Sequence, residues 1–274
     1  MDNNSVTLKI RHIILIANLF FCSFLFTNCD LEQNSPYIND DYPTTYSKLD
    51  MNMLNNLQSQ FTIDNPNLNS SLNAFGFFGF SDFNPSGIWP SKLPNLSKDS
   101  AYQVVKSFIT LNSKYAGIKN PSEINFISLD SSKVSDGSIS WHFVISSQIY
   151  KGLEVNSTGL TIMLINGKVT WCIGNWFPQI NIPIVDKFDS ISAKNQLLNQ
   201  IVTHYSIGGE LSSFKITESN LKSAQSKKMI YPLQQNDKIE LHVVWNIYVP
   251  DVFYVLLVDV ITGQIVGSYP TIIS

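Results

Sequence analysis

Two rhythms of apolar and polar positions alternate along this chain. After Ser97, a residue suited to cap a helix, Ala101, Val104, Val105, Phe108 and Leu111 recur at helical spacing, with Tyr115 one turn further, and Gly117 closes the segment. Beyond it the period drops to two. Ile124-Asn125-Phe126-Ile127 alternates, Trp141 to Tyr150 does so over a longer stretch, Lys151-Gly152 predicts a turn, and Leu160 to Ile165 reads as the next strand. Asn166-Gly167 signals a hairpin because both residues tolerate positive φ, and Lys168 to Ile173 returns from it. The predicted plan is one helix followed by an antiparallel meander.

The plan repeats after the Pro178 to Pro183 segment. Ser192 caps a predicted helix with the stripe Ala193, Leu197, Leu198, Ile201 and Val202, and Gly208-Gly209 breaks it. Strand-like runs follow at Phe214 to Ile216, Lys228 to Tyr231, Ile239 to Val249 and Phe253 to Val260, and Thr262-Gly263 turns the chain into Gln264-Ile265-Val266. The fold class read from this pattern is α+β: two small units, residues 97–183 and 184–274, each a helix packed on an antiparallel sheet.

The first third reads differently. Lys9, Arg11 and His12 precede an apolar run from Ile13 to Phe26, of signal-peptide length, which ends at Thr27-Asn28-Cys29 and a polar, acidic stretch. This resembles a bacterial lipoprotein signal over residues 1–28, with Cys29 as the lipidated first residue of the mature protein. Asn28 and Phe26 depart from that pattern, and an ordinary cleaved signal or an uncleaved anchor helix are the other readings. The expected localisation is the cell envelope, with a lipid anchor in the outer membrane or cell surface. Residues 29–50, polar and without apolar period, suit a flexible tether. Residues 51–96 are rich in Asn, Ser and Phe, and carry Phe75, Phe77, Phe78, Phe80 and Trp89. Those rings either pack on the edge of the following domain or form a candidate partner surface.

Composition narrows the classes. Of 274 residues 44% are apolar, enough for a core across one or two small domains, while charged residues are 14% and the net charge is -3. Arg11 is the only arginine and there is no basic run, so a nucleic-acid partner is not expected. With Cys22 in the leader and Cys29 lipidated, Cys172 would remain alone, unable to form an internal disulfide, and its apolar neighbours suit a buried hydrophobe.

The chemistry-bearing residues are scattered. His12, His142, His204 and His242 show no zincin spacing, and the chain has no Gly-x-Ser-x-Gly elbow, phosphate loop or cysteine pair for zinc. No catalytic, cofactor-binding or metal-binding residue is expected. Asp136, Asp186, Asp189 and Asp259 fit turn and cap chemistry. An enzyme would need a cleft joining Glu154, His142 and Asp259.

Several strings resemble a known module. Gln148-Ile149-Tyr150-Lys151-Gly152-Leu153-Glu154-Val155 is similar to the Q-x-Y-x-G-x-x-V hairpin in the propeptide of thermolysin-like and fungalysin metallopeptidases, and Leu160 to Val169 with Gly174-Asn175-Trp176 resembles the strand that follows it there. The second unit resembles the PepSY domain of the same propeptides: the Ser190-to-Val202 helix, Leu241-x-x-x-Trp245-x-Ile247-x-Val249, and Tyr254 to Asp259 running into Ile261-Thr262-Gly263. The resemblance covers about residues 97–268 and implies cystatin-like and PepSY-like units, with Trp245 and Tyr254 as packing residues. Such propeptides inhibit their catalytic domain and help it fold. Here only 11 residues follow Gly263, so the resemblance implies a free-standing pro-domain that acts on a secreted metallopeptidase in trans. A module that binds another envelope protein or a glycan is the alternative.

Overall fold

The computed structural model describes residues 42–66, 68, 71–78, 95–118, 121–133, 137–183, 186–205 and 211–271. All of them belong to one compact unit, Tyr37–Ser274; a second unit, Met1–Pro36, lies outside the described residues, and with it Cys29 and the residues read as a signal.

The first elements fall where no regular structure was expected. Strand β1 (Thr44–Ser47) lies inside the stretch read as tether, and helix α1 (Met51–Asp64) follows it. Asp50 caps α1 by accepting from the amides of Asn52 and Met53, and Leu54, Leu57 and Phe61 share its inner face. Helix α2 (Lys98–Leu111) has the expected cap, with Ser97 accepting from the Ser100 amide. Ala101, Val105 and Ile109 are its buried stripe and Val104 and Phe108 pack beside them, whereas Leu111, expected on the same face, is exposed. The short α3 (Ser113–Ala116) closes on Gly117, which adopts φ 71.

The first sheet then follows in the anticipated order. Strands β2 (Phe126–Lys133), β3 (Ile139–Ile145), the hairpin β4 (Ile149–Tyr150) and β5 (Leu153–Glu154), β6 (Gly159–Ile165) and β7 (Lys168–Asn175) come in sequence. The sheet order is β2-β3-β6-β7, all antiparallel. Asn166 and Gly167 make the β6–β7 turn with φ of 51 and 74.

The second half differs from expectation at its helix. Helix α4 (Ser190–Gln196) is capped by Asp189, which accepts from the Ser192 amide, and it ends early. Asn199, at φ 67, turns the chain, and Ile201 and Val202 open a strand, β8 (Ile201–Tyr205), paired with β9 (Leu211–Lys215). The β-branched run Ile201-Val202-Thr203 prefers this pleated pairing to a further helical turn. A further helix, α5 (Glu218–Ser223), is set by a Thr217/Asn220 capping box. Strands β10 (Gln225–Gln234), β11 (Lys238–Val249), β12 (Tyr254–Asp259) and β13 (Ile265–Pro270) complete the second sheet.

The twelve-residue β11 organises that sheet. One of its edges pairs with β10 from Ile239 to Tyr248; the other is divided between β1, on Lys238 to Leu241, and β12, on Val244 to Val249. Strand β12 is buried on both faces: Tyr254, Leu256 and Val258 join Ile247, Val249 and α4, while Val255 and Leu257 pack with Met229 and Val244. Between the sheets a third cluster gathers Tyr46, Phe77, Val155, Phe177, Ile230 and Leu241. Leu54 and Leu57 of α1 touch both this cluster and the core of the first sheet, so the two helix-and-sheet units share one interior. The class is α+β.

Candidate functional site

Among the described residues, a cluster of buried and half-buried ionisable groups lies on β11 where β1 gives way to β12. Lys238, Glu240 and His242 alternate along β11 and so project from one face. Asp259, the last residue of β12, is fully buried. Its Oδ2 accepts from the Tyr42 hydroxyl at 2.6 Å and sits 2.7 Å from His242 Nδ1; its Oδ1 accepts from the amides of Ile261 and Thr262, both at 2.8 Å. Four donors therefore surround one carboxylate, which is what a charge buried away from water requires. On the far side of the imidazole, Nε2 lies 3.5 Å from Glu240 Oε2, a contact too long and poorly aligned to be a hydrogen bond, and Lys238 Nζ pairs with Glu240 Oε1 at 2.6 Å. The Tyr42 oxygen also accepts from the Val243 amide at 3.0 Å, and its ring meets that of His242 edge-on.

The electrostatics follow from these contacts. Burial opposes charge on Asp259, but the hydrogen bonds from His242 and Tyr42 and from the Thr262 and Ile261 amides prevail, and its carboxyl titrates below the ordinary value. Burial also opposes charge on Glu240, where Lys238 reverses the balance in the same direction. The Tyr42 phenol is driven far above its usual range by burial and by its bond to the Asp259 carboxylate. The imidazole has a carboxylate on each side and, among the described residues, no hydroxyl or thiol bonded to it. The set lacks the nucleophile–base pairing of acyl-transfer sites.

The turn beyond Asp259 is built by the same side chain. The Gly263 amide donates to the Asp259 carbonyl at 2.8 Å, and Gly263 has φ 73. Phe188 packs so closely on Gly263 that an added Cβ would stand 2.5 Å from its ring. The Asp-x-x-Thr-Gly string thus does structural work. So does Gln148, whose buried amide exchanges two hydrogen bonds with the Phe177 backbone, at 2.8 and 3.0 Å.

The expected residues are distributed as follows. Glu154 pairs with Lys227 at 2.5 Å and His142 is exposed on β3, so neither joins Asp259; the histidine that does is His242. Asp186 pairs with Lys228, and Asp189 is a helix cap. Of the rings offered as a candidate partner surface, Phe75, Phe77 and Phe78 are interior, at 5%, 6% and 2% exposure, which corrects that reading for these three. Asn73 Oδ1 accepts from the Phe75 and Phe77 amides and Gly76 takes φ 79, a turn that sends Phe77 toward Tyr46 and Phe177, and Phe78 toward Phe61 and Phe108. Phe80, Trp89 and Cys29 lie outside the described residues. Cys172 is buried, and burial drives its thiol far above the usual range.

A concavity elsewhere has no counterpart in the sequence reading. An open groove of about 730 Å³ runs between the end of α1, α2 and the start of β7, lined by Asp64, Asn65, Val104, Phe108, Lys114 and Lys168. The C-caps of both helices meet at its floor, with Asn65 Nδ2 donating to Asn112 Oδ1 at 2.7 Å. Asp64 is held by Lys114, Tyr115 and Gln60. Among the described residues no group of three or more His, Cys, Asp or Glu side chains is arranged to hold a metal ion, and no helix is long and apolar enough to cross a membrane.

Comparison with protein-family profiles and with curated proteins finds no match. Among solved structures, the chain is similar to the Bacillus megaterium YpeB C-terminal domain, at 11% identity and a TM-score of 0.28, over 65% of this chain and 66% of that one. The match thus spans just under two thirds of that structure. A likeness of this size speaks to neither activity nor partner, and the α+β class rests on the elements described above.

Proposed function

We propose that this chain is an exported, lipid-anchored module that resembles a metallopeptidase propeptide, does no chemistry of its own, and binds a secreted peptidase in trans to inhibit it or assist its folding. The observation that carries this reading is the use made of the motif residues. Gln148, Asp259 and Gly263 are spent on backbone hydrogen bonds and a turn, and Val155, Tyr254 and Leu256 on packing. A binding role needs an accessible face instead, and β2 supplies one. It pairs only with β3 among the described residues, its side chains are largely exposed, and an outer strand presents backbone groups to an extended partner segment. The reading as a surface module for another protein or a glycan has lost the support of Phe75, Phe77 and Phe78.

The test is affinity capture from the host's own envelope and secreted proteins, followed by a peptidase assay on what is retained. Slowed hydrolysis or improved refolding of a retained peptidase supports the proposal, as does weaker capture by Ile127→Asp in the exposed β2 face. If no co-secreted peptidase is retained or affected, the proposal is wrong. Mass spectrometry of the mature N-terminus tests the anchor at Cys29 separately.

A further inference from the structure

The segment ahead of α1 is fastened in two chemically different ways. At its C-terminal end Tyr46 is fully buried against Phe77 and Phe177, and its hydroxyl donates to the Gln179 carbonyl at 2.6 Å. Thr44 Oγ1 donates to the Asn181 carbonyl at 2.5 Å and accepts from the Asn181 amide at 3.1 Å. None of these bonds involves an ionisable carboxyl. At the N-terminal end Tyr42 is attached to β11 and β12 through the Asp259 carboxylate and the Val243 amide. Of the bonds named, those of Tyr42 are the ones that depend on a charge.

We propose that Tyr42 is an acid-releasable latch: loss of the charge on Asp259 detaches the Tyr42 side chain from β11 and β12, while Thr44 and Tyr46 stay seated and hold β1 in place. A protonated Asp259 oxygen is itself a donor, so its bond to Tyr42 survives only with the phenol turned to accept and without the charge that strengthened it, while the phenol oxygen already accepts from Val243. Tyr42 is the partner free to leave, since His242 is fixed in the middle of a paired strand. The titratable groups around the cluster come from three segments. His242 and Glu240 come from β11, with Lys238 behind Glu240; Tyr231 of β10 lies directly across from His242; and Tyr42 comes from the segment itself. The sign follows from the depressed carboxyls: the attachment is complete at neutral pH and fails as pH falls below the ordinary carboxylate value. Release uncovers the Val243 amide on the β11 edge, which the Tyr42 hydroxyl covers.

Amide hydrogen exchange by NMR on the full chain tests this, with protection factors corrected for the intrinsic pH dependence of exchange. As pH is lowered from about 7 to about 2, below the ordinary carboxylate range, the Val243 amide should lose protection about tenfold, the effect of one charge-assisted hydrogen bond, while β12 amides keep theirs. Tyr42→Phe should show the lowered Val243 protection already at neutral pH and no further acid step. Asp259→Asn should behave likewise, and if that variant does not fold Tyr42→Phe decides alone. An acid step in Val243 that survives Tyr42→Phe overturns the latch. So does loss of β12 protection in step with Val243, which would mean that the sheet opens as one.

Discussion

The Tyr42 hydroxyl lies 2.6 Å from Asp259 Oδ2 across 217 residues of sequence, and it joins the first of the described residues to the turn that precedes β13. Because the same oxygen accepts from Val243, this one side chain bridges the gap between β1 and β12 along the β11 edge. Tyr42→Phe removes both bonds and should cost about 1–3 kcal/mol, read as a lower urea midpoint at unchanged slope. A loss within experimental error would mean that the bridge contributes little.

The Phe75–Phe78 turn should behave as core. Phe78 packs on Phe61 with ring centroids 5.8 Å apart and stacks on Phe108 at 6.0 Å. Phe78→Ala is expected to destabilise the fold by about 3–5 kcal/mol, the range for emptying a buried aromatic site. Denaturant unfolding decides it, and a cost typical of surface positions would return the ring to the surface.

Gly263 tests the turn after Asp259. Its φ of 73 and the Phe188 ring against it leave no room for a methyl group. Gly263→Ala should cost more than about 1 kcal/mol by thermal or chemical unfolding. Gly152, also at positive φ but with nothing near its Cα, provides the comparison and should lose less.

Asp64 offers a titration. Hydrogen bonds from Lys114, Tyr115 and Gln60 lower its pKa to about 2, below its value in an unfolded chain. The stability linked to this difference is therefore present above about pH 4 and is lost as pH falls through the folded value. Carboxyl NMR should find Asp64 titrating near the bottom of the accessible range, and Lys114→Met should bring it back toward the ordinary value. An unchanged midpoint in that variant would remove Lys114 as the cause.

Cys172 should be inert while the protein is folded. It is buried on β7 and its thiolate is disfavoured by that burial. Peptide mapping after iodoacetamide treatment should find it unmodified in native conditions and alkylated in denaturant. Rapid native labelling would place it at a breathing or exposed site.

Much of the first sheet was legible because its signals are local. The Ser97 cap and Asn166-Gly167 act within a few residues, and both stand where expected. Helix α1 was legible too and was passed over: Asp50 followed by Leu54, Leu57 and Phe61 is a cap and an apolar face, hidden among asparagines. The stripe ending at Ile201 and Val202 misled because helical spacing coincided with β-branched residues, and Asn199 ended the helix first. For the candidate site, sequence offered Asp259 with the wrong partners. Nothing near Glu154 or His142 distinguished them from His242, since the choice depends on which strands become neighbours.

What the chain determined by itself is the helix-then-meander order from Ser97 to Asn175, the Asn166-Gly167 turn and the α+β class, because side-chain period and the φ tolerance of Asn and Gly are properties of a few consecutive residues. Only the tertiary structure decided that β1 would leave the presumed tether for the β11 edge, that Phe77 and Phe78 would part into different cores, and that Asp259 would be enclosed by Tyr42 and His242. Those outcomes turn on which distant surfaces exclude water together. A buried carboxylate finds its donors only after the strands that carry them have met.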